Sequence, residues 1–125
     1  VKAALLVALG GALGSVTRWL VQSWVARWTP GSAIPWGTFA VNAAGSFAIG
    51  AVLTLALDRT LVSPNARLFL ATGVLGGFTT FSAFSWESFE LMRDGHWPAA
   101  LVYVGGSLAT GLLAAVAGAS LAARI

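Results

Sequence analysis

No cysteine occurs in this sequence, which excludes disulfides, thiolate metal sites and cysteine nucleophiles and leaves the redox compartment unmarked. Charge is almost as scarce: 9% of residues are charged, against about a quarter in an average soluble domain. The one histidine, His96, stands in a polar stretch beside Trp97, where a solvated ring is expected. No pair of carboxylates shares an interior face, so no base and nucleophile set can be assembled and an enzyme is not expected.

Apolar residues fill the space that charge leaves. They make up 58% of the 125 residues, more than a water-soluble fold of this size can hide. A transmembrane helix needs roughly 20 apolar residues, and four segments qualify, at 3–26, 34–57, 67–92 and 97–123. Pro30-Gly31 and Pro35, Ser63-Pro64-Asn65, and Arg93-Asp94-Gly95-His96 mark the short connections. The first segment follows Lys2 as a signal peptide would. It runs on without a small-residue cleavage site and three further spans follow, so it reads as a retained helix. The expected architecture is an all-α membrane protein, a single four-helix transmembrane domain over residues 1–125.

Seven basic residues against four acidic ones give a pI near 10.7, but the basic residues are scattered at the ends of apolar runs. They read as membrane-interface anchors rather than a nucleic-acid surface. Trp24, Trp28, Trp36 and Trp97 lie near predicted ends for the same reason. Four spans put both termini and the second loop on one side, with Lys2, Arg59, Arg67 and Arg124, against Arg27 and Arg93 on the other, joined by Arg18 if it snorkels outward. So small an excess leaves two readings: insertion both ways, which makes an antiparallel homodimer available, or one orientation favoured by a small margin. Gly10 and Gly14, Ser46 and Gly50, and the glycines at 105, 106, 111 and 118 indicate close helix packing without saying which helices meet.

The third span is the least ordinary. Gly76-Gly77 lies near its middle, followed by Thr79, Thr80 and Ser82, which compete for backbone hydrogen bonds. A break expected at 76–79 frees backbone groups at a depth without water, each costing several kcal/mol unless protein, an ion or a wet cavity satisfies it. Freed carbonyls suit a cation, and the start of the following half-helix suits an anion. Alternatively the glycines only admit a neighbouring helix. Phe81 and Phe84, three apart, share a face. They either pack or turn two positive ring edges toward a small anion.

Other polar groups cluster by period. Thr38, Asn42 and Ser46 form one stripe on the second helix, and Tyr103 and Ser107 a pair on the fourth. Asn42 serves either as an interhelical hydrogen bond or as an anion donor. Arg18, the only charge well inside the first span, either snorkels to the interface or raises anion concentration at a vestibule. Glu87 and Glu90, near the end of the third helix, are the only carboxylates able to serve proton coupling.

Gly10-Gly11-Ala12-Leu13-Gly14 with Arg18-Trp19, the run from Gly37 to Ser46, and Gly76-Gly77-Phe78-Thr79-Thr80-Phe81-Ser82-Ala83-Phe84-Ser85 resemble the Fluc (CrcB) family of bacterial fluoride channels. The resemblance is in order and covers essentially the whole chain. It implies a dual-topology antiparallel homodimer in the bacterial cytoplasmic membrane, with two fluoride pathways and a passive role in fluoride resistance. It also implies a structural sodium ion at the dimer centre, held by main-chain carbonyls of Gly76 and Thr79. Phe81 and Phe84 would line the pathways, Asn42 would donate to the anion, and Thr38, Thr80, Ser82, Tyr103 and Ser107 would supply hydroxyls, with Arg18 near the mouth. One departure is Gly111, where family members often carry a further hydroxyl. A small dual-topology proton-coupled exporter is the alternative, but such proteins use a carboxylate in the first helix, which has none; a structural subunit without transport is a third reading.

Overall fold

The computed structural model describes all residues 1–125 and contains helices, turns and no strand. Four of its helices are long and apolar enough to cross a membrane: α1 (Lys2–Trp28), α2 (Trp36–Asp58), α3 (Pro64–Arg93) and α4 (Trp97–Ala122). The chain is a multi-pass membrane protein. α2 begins at Trp36, later than the run of apolar residues, because Pro35 cannot donate to a helix and holds Ile34 out of helical geometry. α3 begins early: the Ser63 side chain accepts from the Ala66 N–H at 3.2 Å, with Pro64 in the first turn. Gly31 (φ 75°) and Gly95 (φ 81°) turn the chain after α1 and α3 through the left-handed region that glycine tolerates. The last turns of α2, Thr54–Asp58, and the stretch Leu68–Leu75 of α3 are wound as π-helix.

Glycine decides which helices touch. A Cβ at Gly10 would stand 2.5 Å from the Phe69 carbonyl, and one at Gly14 would run into that of Val74, so α1 lies with its backbone against the first half of α3. Likewise Gly50 and Gly118 admit the carbonyls of Ala115 and Phe47, seating α4 on α2. Without a hydrophobic drive between helices in lipid, such close approach supplies the packing. Gly105 and Gly106 face open space and take no part. A small aromatic core of Phe84, Leu91, Ala100 and Tyr103 joins the second half of α3 to α4, with Phe39 of α2 against it. Only 15 of 125 residues are buried, too few for a water-soluble core, so the outward Leu, Val and Trp side chains form the surface offered to lipid.

α3 is interrupted, but not at its glycines. Gly76–Phe78 remains helical, and the backbone is extended at Thr79 (φ −86°, ψ 157°) and Thr80 (φ −150°, ψ 109°) before Phe81–Arg93 resumes the helix. Thr79 still donates its N–H to the Leu75 carbonyl at 3.0 Å, and Thr80 is the first residue whose N–H leaves the ladder. Gly77 instead admits α1, since a Cβ there would meet the Gly11 carbonyl at 2.5 Å.

Candidate functional site

Asn42 bridges the interruption. Its Oδ1 accepts from the Thr80 N–H at 2.7 Å and its Nδ2 donates to the Thr80 carbonyl at 3.1 Å, so one side-chain amide stands in for a peptide unit. Thr80 in turn caps the second half of α3, its Oγ1 accepting from the Ala83 N–H at 3.1 Å and lying 3.2 Å from Ser82 Oγ. The Thr79 hydroxyl donates back to the Leu75 carbonyl at 3.0 Å.

Two carbonyls lose their donors through these bonds. The Thr80 N–H that would have closed a helical turn onto Gly76 goes to Asn42, and the Ala83 N–H that would have reached Thr79 goes to Thr80 Oγ1. Gly76 and Thr79 both line an open groove of about 360 Å³ on the flank of the bundle, beside Asn42, Phe81, Phe84 and Ser107. Uncharged oxygen donors of this kind suit a hard cation, and no cluster of three or more His, Asp or Glu offers another cation site. The donor set therefore fits the sodium ion that the family pattern implies.

The same groove carries groups of opposite preference. Phe81 is 77% exposed and Phe84 buried, with ring centroids 5.7 Å apart and planes inclined at 43°; Phe84 also packs on Tyr103 at 5.4 Å. The Ser107 hydroxyl is buried and has no hydrogen-bond partner. The N-terminal turn of Phe81–Arg93 opens here, with the positive end of its dipole toward mid-span.

Farther toward the loop after α1, the polar residues meet on one carboxylate. Glu87 accepts from Thr38 Oγ1 at its Oε1 and from the Tyr103 hydroxyl at its Oε2, each at 2.8 Å. Thr38 Oγ1 also accepts from Gln22 Nε2 at 3.0 Å. Thr38 and Glu87 line a second, more polar cavity of about 540 Å³ that includes Gln22 and residues 29–32. An anion contacting the Thr38 or Tyr103 hydroxyl must therefore first open a bond to Glu87.

The fold thus brings Asn42, Gly76, Thr79, Thr80, Phe81, Phe84 and Ser107 to one groove and Thr38 and Tyr103 to the adjoining cluster. Ser82 touches Thr80 but points outward, and Arg18, half-exposed on α1, lines neither cavity. Gln22 was not among the expected residues, and Glu87 was expected only as a coupling group. Glu87 follows Thr80 by seven and Phe84 by three, a helical spacing that places all three on one face.

The family model for CrcB-like protein, Camphor Resistance (CrcB), matches residues 5–119. Among similar proteins, a "Fluoride-specific ion channel FluC" of Thermus thermophilus is 54% identical over 114 residues, covering 91% of this chain and 88% of its own. Proteins of the same name from Chlorobaculum tepidum and Rhizobium meliloti are 52% and 47% identical over 121 and 117 residues, covering 97% and 94% of this chain and 94% and 93% of theirs. These names are those of ion channels, not of enzymes.

Proposed function

The chain belongs to the CrcB-like family, and from that premise we propose that it is a fluoride-selective channel of the bacterial cytoplasmic membrane, working as an antiparallel homodimer. The observation that carries this reading is the interruption at Thr79-Thr80, which gathers freed carbonyls and anion-favouring groups into one groove at mid-span. Freed carbonyls facing hydrocarbon are untenable. A second copy laid over the groove covers them, and the near balance of basic residues on the two sides makes the opposite orientation available to it.

The Gly76 and Thr79 carbonyls would hold a sodium ion between the copies. When bound, the ion supplies positive charge that offsets carbonyls otherwise unsatisfied in the membrane. One groove per copy gives two fluoride pathways. Fluoride is small and strongly hydrated, and stripping it of water without replacement costs on the order of tens of kcal/mol. Along each pathway the ring edges of Phe81 and Phe84, the amide of Asn42, and the hydroxyls of Thr80 and Ser107 offer weak contacts in series, and the outward Ser82 adds to them only through its contact with Thr80 Oγ1. Thr38 and Tyr103 continue the track beside Glu87, and Arg18 raises the anion concentration at the mouth. Contacts of this strength lower the barrier without trapping the ion. Conduction is passive and lets a cell lose fluoride that entered as the neutral acid.

Purified protein in liposomes is expected to release fluoride far faster than chloride with no proton gradient imposed. Efflux no greater than from empty vesicles, read by a fluoride electrode, would refute the proposal. A release rate set by an imposed proton gradient would favour the exporter instead.

A further inference from the structure

The hydrogen bonds around Glu87 form one chain with a member on every helix: Gln22 of α1, Thr38 of α2, Glu87 of α3 and Tyr103 of α4. Its direction is fixed by chemistry. An amide nitrogen only donates and a carboxylate only accepts, so the single Thr38 proton, with Gln22 Nε2 at 3.0 Å on one side and Glu87 Oε1 at 2.8 Å on the other, points at Glu87. Thr38 is 2% exposed with Gln22 in place; a cavity water in the amide's stead can donate or accept, whereas the amide nitrogen only donates and so fixes the direction of the Thr38 proton. Donation into a hydroxyl oxygen makes that hydroxyl a stronger donor onward.

We propose that Gln22 is a positioning residue for the outer pathway: through Thr38 it clamps the Glu87 carboxylate between Thr38 and Tyr103 and keeps that negative charge from swinging into the cavity through which the anion passes. The inference rests on the functional reading above, because the cost of a loose carboxylate is read in anion flux. It is separable from helix packing. Where α1 meets α2, a Cβ at Gly37 would stand 3.0 Å from Gln22 Cα and 3.3 Å from its Cβ. Leucine at position 22 keeps both atoms and removes only the amide. The cavity's other hydroxyl donors are committed elsewhere, Thr29 to the Val25 carbonyl at 3.0 Å and Ser32 to the Ile34 carbonyl at 3.2 Å, so neither takes over the amide's role.

Fluoride efflux from liposomes carrying wild type, Gln22→Leu, Thr38→Val and the double variant tests the clamp. Gln22→Leu is expected to slow efflux about fivefold, the worth of one hydrogen bond, and to have no further effect once Thr38→Val has removed the intermediary. Gln22→Glu, which at neutral pH accepts the Thr38 proton and takes it from Glu87, is expected to be slower than Gln22→Leu. An equal loss from Gln22→Leu in both backgrounds, or no loss in either, would overturn the proposal. Tyr103 is the only tyrosine, so the ultraviolet resonance Raman doublet of tyrosine reads the same network without reference to flux. Its strong-donor signature should weaken in Gln22→Leu, and an unchanged doublet would also overturn the clamp. If wild type itself releases no fluoride, the channel reading falls, and the doublet still decides whether Gln22 holds Glu87.

Discussion

Asn42 and Phe81 border the same groove but stand in opposite situations, and their substitutions should separate stability from conduction. Asn42 satisfies both the N–H and the C=O of Thr80. Truncating it leaves two backbone groups without partners at mid-span, each costing about 1–3 kcal/mol. Asn42→Ala is therefore expected to lower the melting temperature of the detergent-purified protein by several degrees, whatever its effect on flux. Phe81 is 77% exposed in one copy and touches only Phe84 among aromatic rings. Phe81→Ile keeps apolar bulk but loses the polarised edge, and an edge contact of about 1 kcal/mol corresponds to a loss of efflux approaching tenfold. The dimer should survive, as judged by cross-linking or size-exclusion. Unchanged efflux from the folded variant would reduce the phenylalanine pair to packing. Periodicity made the polar stripes and the phenylalanine pair legible, and only the resemblance to the family's motifs implied that they share one pathway. What it could not convey was which hydroxyls are already engaged: Thr38 and Tyr103 are free donors on paper, and in the fold both give their protons to Glu87.

Each span follows from its apolar length, and some ends have a local cause: Pro35 before α2, Ser63 and Pro64 at the start of α3, Gly95 after it and a proline in the first turn of α4. The interruption of α3 was legible as an event but not as a position. Two adjacent glycines weaken a helix, yet Gly76–Phe78 stays helical because α1 packs against Gly77 through Gly11 and Ser15. The chain leaves the helix at Thr79-Thr80, where Asn42 of another helix receives the released backbone groups. No local propensity encodes a partner 38 residues away. The glycine pairs likewise announced close packing without naming partners, which tertiary contact alone assigns. Substitution separates the seams from the lipid face. Gly14→Ala and Gly118→Ala drive a methyl group into the Val74 and Phe47 carbonyls and should destabilise by about 1–3 kcal/mol each. Gly105→Ala meets nothing within 4 Å and should be neutral or slightly stabilising. Thermal unfolding of the three variants in one detergent checks the ranking. Gly77→Ala should behave like the seam variants; a gain in stability there would mean that the glycine weakens α3 rather than serving α1.

Across the whole molecule, polarity and anchoring divide differently between the two ends. Trp24, Trp28, Trp36 and Trp97 gather at the end that holds Arg27 and Arg93, where Arg93 also lies over the rings of Trp86 and Phe89 at 5.9 and 5.6 Å. The opposite end carries Lys2, Arg59, Arg67 and Arg124. Aromatic rings anchor a helix at either interface, but orientation follows the excess of Lys and Arg, so the belt fixes depth and leaves direction to a margin of four against two, or three with Arg18. A margin that small is easily moved. Leu61→Lys with Asn65→Lys, both at exposed positions, enlarges the excess at the end bearing the termini and should commit that end to the cytoplasm. Asp94→Lys with His96→Lys, combined with Arg59→Gln and Arg67→Gln so that four against two becomes two against four, should commit the other. If two opposed copies are needed to cover the freed carbonyls of Gly76 and Thr79, neither locked variant alone should protect fluoride-sensitive cells, whereas the two expressed together should restore protection to near the wild-type level. Orientation reporters fused to the C-terminus establish that each variant is locked. A locked variant that protects cells by itself would show that the groove is closed by a parallel copy or by none, and the antiparallel dimer would have to be abandoned.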